Sequence, residues 1–148
     1  MIWIIYFVIS VIVTAILTKF KNIRRLWIMG LLTILFIYGI DGTLVALGAY
    51  SYRDPCSVLS RLPIFYLLSG FPGGILLAYF YPYMKRYQFM YILTASAIFL
   101  LLETVIRWLG YIEYNNWNLV RSYFLDIGSF MAMLWLGQWL DATGKSGL

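Results

Sequence analysis

Residues 92–109 read ILTASAIFLLLETVIRWL, eighteen positions that carry charge only at Glu103 and Arg107. A run close to ~20 apolar residues is long enough to cross a bilayer as a helix. Residues 1–18, MIWIIYFVISVIVTAILT, repeat the pattern without any charged side chain. Across the 148 residues 63% are hydrophobic and 11% charged, whereas soluble domains are nearer a quarter charged. Such a chain has too few polar groups to cover a water-facing surface, so it reads as an integral membrane protein. Strands of an outer-membrane barrel alternate apolar and polar residues over ~10-residue segments. The long unbroken runs here exclude that pattern and give an all-α helical bundle.

Five spans emerge, at about 2–18, 26–49, 63–82, 88–109 and 122–140. The first lacks a basic leader and a small-residue cleavage site, which reads as a retained helix. Between the spans lie KFKNIRR (19–25), SYRDPCSVLSR (51–61), the MKRYQ turn with Lys85 and Arg86, and YIEYNNWNLVR (111–121). No hydrophilic domain remains, so 1–148 is one transmembrane domain. With the amino terminus outside, the inner loops and the tail hold Lys19, Lys21, Arg24, Arg25, Lys85, Arg86 and Lys145. The outer loops then hold Arg53, Arg61 and Arg121. This excess orients the chain with its carboxyl terminus in the cytoplasm.

The net charge of +5 lies beside the apolar runs, which points to lipid headgroups rather than nucleic acid. Histidine is absent and Cys56 stands alone, so the usual metal ligands and an internal disulfide are missing. No nucleotide loop, catalytic triad or cofactor motif can be assembled; neither a cofactor nor a metal is expected. Trp27, Trp108, Tyr111, Trp117 and Trp139 fall near span ends, as interfacial anchors do.

Three acids interrupt the apolar runs. Asp41 lies roughly 5 Å to the outer side of its span's midpoint on a rise of ~1.5 Å per residue, and Glu103 and Asp126 each roughly 7 Å. The expectation is a single polar layer in the outer half of the membrane. Arg107 follows Glu103 by one helical turn, in the order that favours an ion pair. Ionisable groups at this depth usually face a protein interior and mark a binding site or pathway. Ser69 falls near the same level in the third span, within Ser-Gly-Phe-Pro-Gly-Gly (69–74). Pro72 removes a backbone donor there, and Gly70, Gly73 and Gly74 weaken the helix. That stretch reads either as a broken helix lining a cavity or as a small-residue packing surface. Gly39, Gly42 and Gly48 offer a similar surface around Asp41.

The segments Tyr-Gly-Ile-Asp-Gly (38–42), FPGGILLAYFYP (71–82) and ETVIRWLGYIEYNNWN (103–118) together resemble an uncharacterised five-span membrane-protein family of spore-forming Firmicutes, the Bacillus and Clostridium group. The resemblance implies five spans in a bacterial plasma membrane and directs attention to Asp41, Pro72, Glu103 and Trp117. It implies no activity. The histidine that the family carries beside the tyrosine is Asn115 here. Residues 111–118, with Tyr111, Tyr114, Asn115 and Trp117, read as an outer cap over the polar layer or as a short aromatic turn.

The function expected is non-enzymatic: an outward-facing intramembrane polar site for a cation, a proton or a small amine. Asp41, Glu103 and Asp126 would supply charge, Ser69 a neutral ligand, and Arg107 the geometry. One alternative is an accessory subunit, docked on another membrane protein or on copies of itself, whose acids form a structural salt-bridge network. A third is an intramembrane enzyme that modifies lipids with carboxylates alone.

Overall fold

The structure is a computed structural model and describes residues 1–53, 58–59 and 61–141. Cys56 and Lys145 lie outside the described residues. Five helices are joined by short strands: α1 (Ile2–Leu17), α2 (Phe20–Ala46), β1 (Tyr50–Tyr52), β2 (Val58–Leu59), β3 (Leu62–Pro63), α3 (Ile64–Phe80), α4 (Lys85–Trp108), β4 (Ile112–Tyr114) and α5 (Leu119–Trp139). Three of them, α2, α4 and α5, are long and apolar enough to cross a membrane. The other two, α1 and α3, are apolar but have 16 and 17 residues. At ~1.5 Å per residue they fall short of a hydrocarbon core ~30 Å thick.

The basic segment expected as a loop after the first span is largely helical, with Lys21, Arg24 and Arg25 inside the opening turns of α2. Lysine and arginine are good helix formers, and no glycine or proline stands among residues 19–25 to stop the helix. Its far end is set by Gly48, at φ +75°. There the Gly48 amide reaches the Val45 carbonyl and the Ala49 amide reaches that of Leu44, both at 3.0 Å. That pair of bonds is a Schellman cap, so Gly48 terminates α2 instead of packing beside Asp41. Gly110, at φ +83°, ends α4 in the same way, with bonds to Arg107 and Ile106.

Each cap hands the chain straight into a strand. Tyr50, Ser51 and Tyr52 pair antiparallel with Tyr114, Glu113 and Ile112. The two expected outer loops are therefore tied together as a ribbon over one end of the bundle. Its hydrogen bonds satisfy backbone groups that a bare loop would leave open. The Asn118 side chain then accepts from the Arg121 amide at 2.8 Å and starts α5.

Of the helices consecutive in sequence, α2 and α3 pack together and so do α4 and α5, whereas α1 packs on α3. Helix α3 lies between α1 and α2, α4 packs on α5, and contact between α2 and α5 joins the two groups. Small residues hold the α2–α3 contact together. A Cβ on Gly74 would collide with Thr33 Oγ1 and lie 2.6 Å from the Met29 carbonyl oxygen, and one on Gly70 would lie 2.6 Å from Ile37 Cδ1. Gly30 is pressed against Phe71 in the same way. Helix α3 runs unbroken through Pro72. The helix is thus not broken there: helical neighbours on both sides support the turn that proline weakens, Gly70 and Gly74 pack closely on α2, and Gly73 meets nothing within 4 Å. Thr14 Oγ1 on α1 donates to the Pro72 carbonyl at 3.3 Å.

The apolar core at the end remote from the ribbon contains Leu26, Met29, Ile75, Ala78, Ile92 and Leu134. Beneath the ribbon a second cluster gathers around Trp3, Tyr66, Ile106 and Ile112. Between these two layers sit the acids.

Candidate functional site

Helices α2, α4 and α5 bring Asp41, Glu103 and Asp126 to the wall of one small cavity of about 40 Å³ beneath the ribbon. Their surroundings differ sharply. Asp41 is held by three tyrosines: Oδ1 accepts from the Tyr50 hydroxyl at 2.9 Å, and Oδ2 from Tyr66 at 2.6 Å and Tyr52 at 3.5 Å. Trp3, fully buried, braces two of these rings edge-on at 5.3 and 5.5 Å. Its indole N–H donates to the Arg53 carbonyl at 3.2 Å. Burial first, and the Asp41 carboxylate second, push the Tyr50 and Tyr52 hydroxyls far above their ordinary pKa. Both strand tyrosines therefore remain protonated donors at any physiological pH.

Glu103 accepts from the Tyr114 hydroxyl and from Ser122 Oγ, the latter at 3.1 Å. Ser122 in turn accepts from the Trp117 indole at 2.8 Å. Burial, followed by the bond to Glu103, raises the Tyr114 hydroxyl well above its usual range, which keeps it a donor. Arg107 does not form the expected ion pair with Glu103 among the described residues. Its guanidinium lies over the Tyr114 ring, 4.7 Å from the centroid, where ring and cation attract. Between described residues, an ion pair instead joins Arg53 on the exposed side of the ribbon to Glu113.

Asp126 is the exception. Its Oδ2 is buried and has no hydrogen-bond partner among the described residues. A buried polar atom without a partner costs about 1–3 kcal/mol, and most buried polar atoms in folded proteins have one.

The remaining expected site residues take other places. Ser69 Oγ, buried, donates to the Tyr66 carbonyl within α3 at 2.5 Å, and the residue lines a larger apolar cleft together with Asp41 and Asp126. Tyr111 packs against the Trp3 cluster, and its carbonyl accepts the Arg53 amide at 2.8 Å. Asn115 is exposed and contributes its backbone amide to Ala49 at 3.0 Å. Trp117 is half-buried against Tyr50, 6.0 Å between ring centroids. Residues 111–117 thus form a cap over the cavity, built as a strand and a turn.

Sequence reasoning passed over Trp3, Tyr50, Tyr52, Tyr66 and Ser122. A signal was present for the strand residues. Gly48-Ala-Tyr-Ser-Tyr and Gly110-Tyr-Ile-Glu-Tyr each place a glycine before a short run rich in aromatic and β-branched residues, as a helix cap followed by a strand does.

A second, larger cleft of about 900 Å³ continues from the acids along the bundle. Asp41, Tyr66 and Asp126 line both spaces. Below them the walls are chiefly apolar, with Ile9, Val13, Phe36, Ile98 and Phe130 among the lining residues. No group of three or more metal-ligating side chains converges among the described residues. The polar groups at the acids are carboxylates that accept hydrogen bonds and phenol hydroxyls that donate them. Comparison with protein families, with curated proteins and with solved structures finds nothing that matches this chain.

Proposed function

We propose that this chain is a five-span membrane protein that binds a small amine, as its ammonium ion, at the acids beneath the ribbon. The observation that carries the reading is the bare Oδ2 of Asp126 in a cavity lined by two further carboxylates. A carboxylate at membrane depth needs a counter-charge or a proton. Arg107 lies over the Tyr114 ring, 4.7 Å from its centroid, and forms no ion pair with the three acids among the described residues. An ammonium group supplies both the positive charge and the N–H donors that Asp126 lacks. Asp41 and Glu103, each already accepting from hydroxyl groups, add negative potential around it.

The ribbon end is read as the outer face of a bacterial plasma membrane. In support, Lys21, Arg24, Arg25, Lys85 and Arg86 lie at the opposite end, near the start of α2 and of α4, as the positive-inside rule asks. The exposed Ile5, Ile9, Ile12 and Ile16 of α1 suit a lipid-facing position even though that helix is short.

Butylamine binding to the purified protein in detergent tests the reading. Asp126→Asn should weaken it at least tenfold and Glu103→Gln by less, both with the fold retained. Unchanged affinity in Asp126→Asn would remove the proposal. The structural alternative draws on the three tyrosines around Asp41 and on the Tyr114 and Ser122 hydroxyls at Glu103, and it does not account for the partnerless oxygen of Asp126.

A further inference from the structure

We infer that the amine bound at these acids carries a hydrocarbon chain, and that it enters sideways from the bilayer between α1 and α4. This rests on the reading of the acids as an amine site and adds the substrate class and the route.

The cleft adjoins the acid cavity, and Asp41, Tyr66 and Asp126 line both, so two of the carboxylates stand directly in the cleft wall. At about 900 Å³ the cleft is near the upper end of small-molecule pockets. That volume is far more than an ammonium group needs. From Tyr6 to Leu17 along α1, both lining residues, the cleft extends about 16 Å on the helical rise. That covers over half of a ~30 Å hydrocarbon core.

Its flank is open for a topological reason. Helix α1 packs on α3 and α4 packs on α5, with no packed interface between α1 and α4. Residues on both facing helices, Val13 on α1 and Ile98 on α4, line the gap and are exposed. In a membrane such an opening faces lipid chains. An inorganic cation would leave these apolar walls unused, whereas an alkylamine fits both parts: ammonium on the carboxylates, chain in the cleft. Lipid tails are as apolar as the cleft walls, so the chain contributes position and route, and the acids contribute selectivity.

The test uses the full chain in phosphatidylcholine nanodiscs, with dodecylamine and butylamine as probes and dodecanoate as control. Dodecylamine should bind in preference to dodecanoate. Asp126→Asn should weaken both amines at least tenfold. Val13→Trp, which fills the cleft at an exposed position, should weaken dodecylamine at least tenfold and butylamine less than twofold. Ile98→Trp, on the facing helix, should do the same and serves if the first variant folds poorly. Dodecylamine binding unaffected by either tryptophan, with Asp126→Asn still effective, would overturn the cleft and leave the amine site standing. Neither amine responding to Asp126→Asn would overturn both. Dodecanoate binding as tightly as dodecylamine would show a cleft that takes any chain, and would sink the amine class.

Discussion

Asp41 on α2 and Asp126 on α5 line the same cavity. Asp41 accepts from Tyr50, Tyr52 and Tyr66, while Asp126 keeps a buried oxygen with no partner among the described residues. The cost of burying a carboxylate falls as donors are supplied to it. Asp41 is therefore a completed structural unit that ties α2, β1 and α3 together. Asp126 is an acceptor still open to a donor from outside the chain.

The largest effect should come from dismantling the completed unit. Asp41→Ala removes the acceptor of Tyr50 and Tyr66, and each stranded hydroxyl costs about 1–3 kcal/mol. Denaturation in detergent should show a loss of several kcal/mol, and wild-type stability would break the contrast. Asp126→Leu is its counterpart: removing the orphaned atom should leave stability unchanged or raise it by about 1–3 kcal/mol. A marked destabilisation there would mean that Asp126 has a structural role after all.

Two glycines on α3 extend the same distinction between filled and open space. Gly74→Ala forces a methyl group against Thr33 and the Met29 carbonyl and should cost about 1–3 kcal/mol as overpacking. Gly73→Ala, with nothing within 4 Å of its Cβ, should stay within about 0.5 kcal/mol of wild type. Thermal unfolding of the pair separates packing from flexibility. At the ribbon, Gly110→Ala places a side chain at φ +83° and should cost about 1–2 kcal/mol, loosening the ribbon without altering the cavity's charges.

Helix content was legible because long apolar runs leave few alternatives, and the acids were legible because charge is rare in them. Asp41, Glu103 and Asp126 come together, as equal depth in three helices suggested. The partners of those acids were not legible. Tyr50, Tyr52 and Tyr114 lie in segments whose pairing depends on two helices ending side by side, which no local pattern records. Side-chain direction also decided Arg107: spacing put it one turn from Glu103, yet its guanidinium found the Tyr114 ring. In residues 69–74 the glycines signalled close approach, and the proline was carried by neighbours that the sequence does not name.

The contrast between the two aspartates is tested most directly by infrared difference spectra of carboxylate bands on adding butylamine. Spectra would be recorded for the wild type, Asp41→Asn and Asp126→Asn at matched folded fractions. The account predicts a carboxylate change that persists in Asp41→Asn and vanishes in Asp126→Asn. A change that survives in Asp126→Asn and disappears in Asp41→Asn would contradict it.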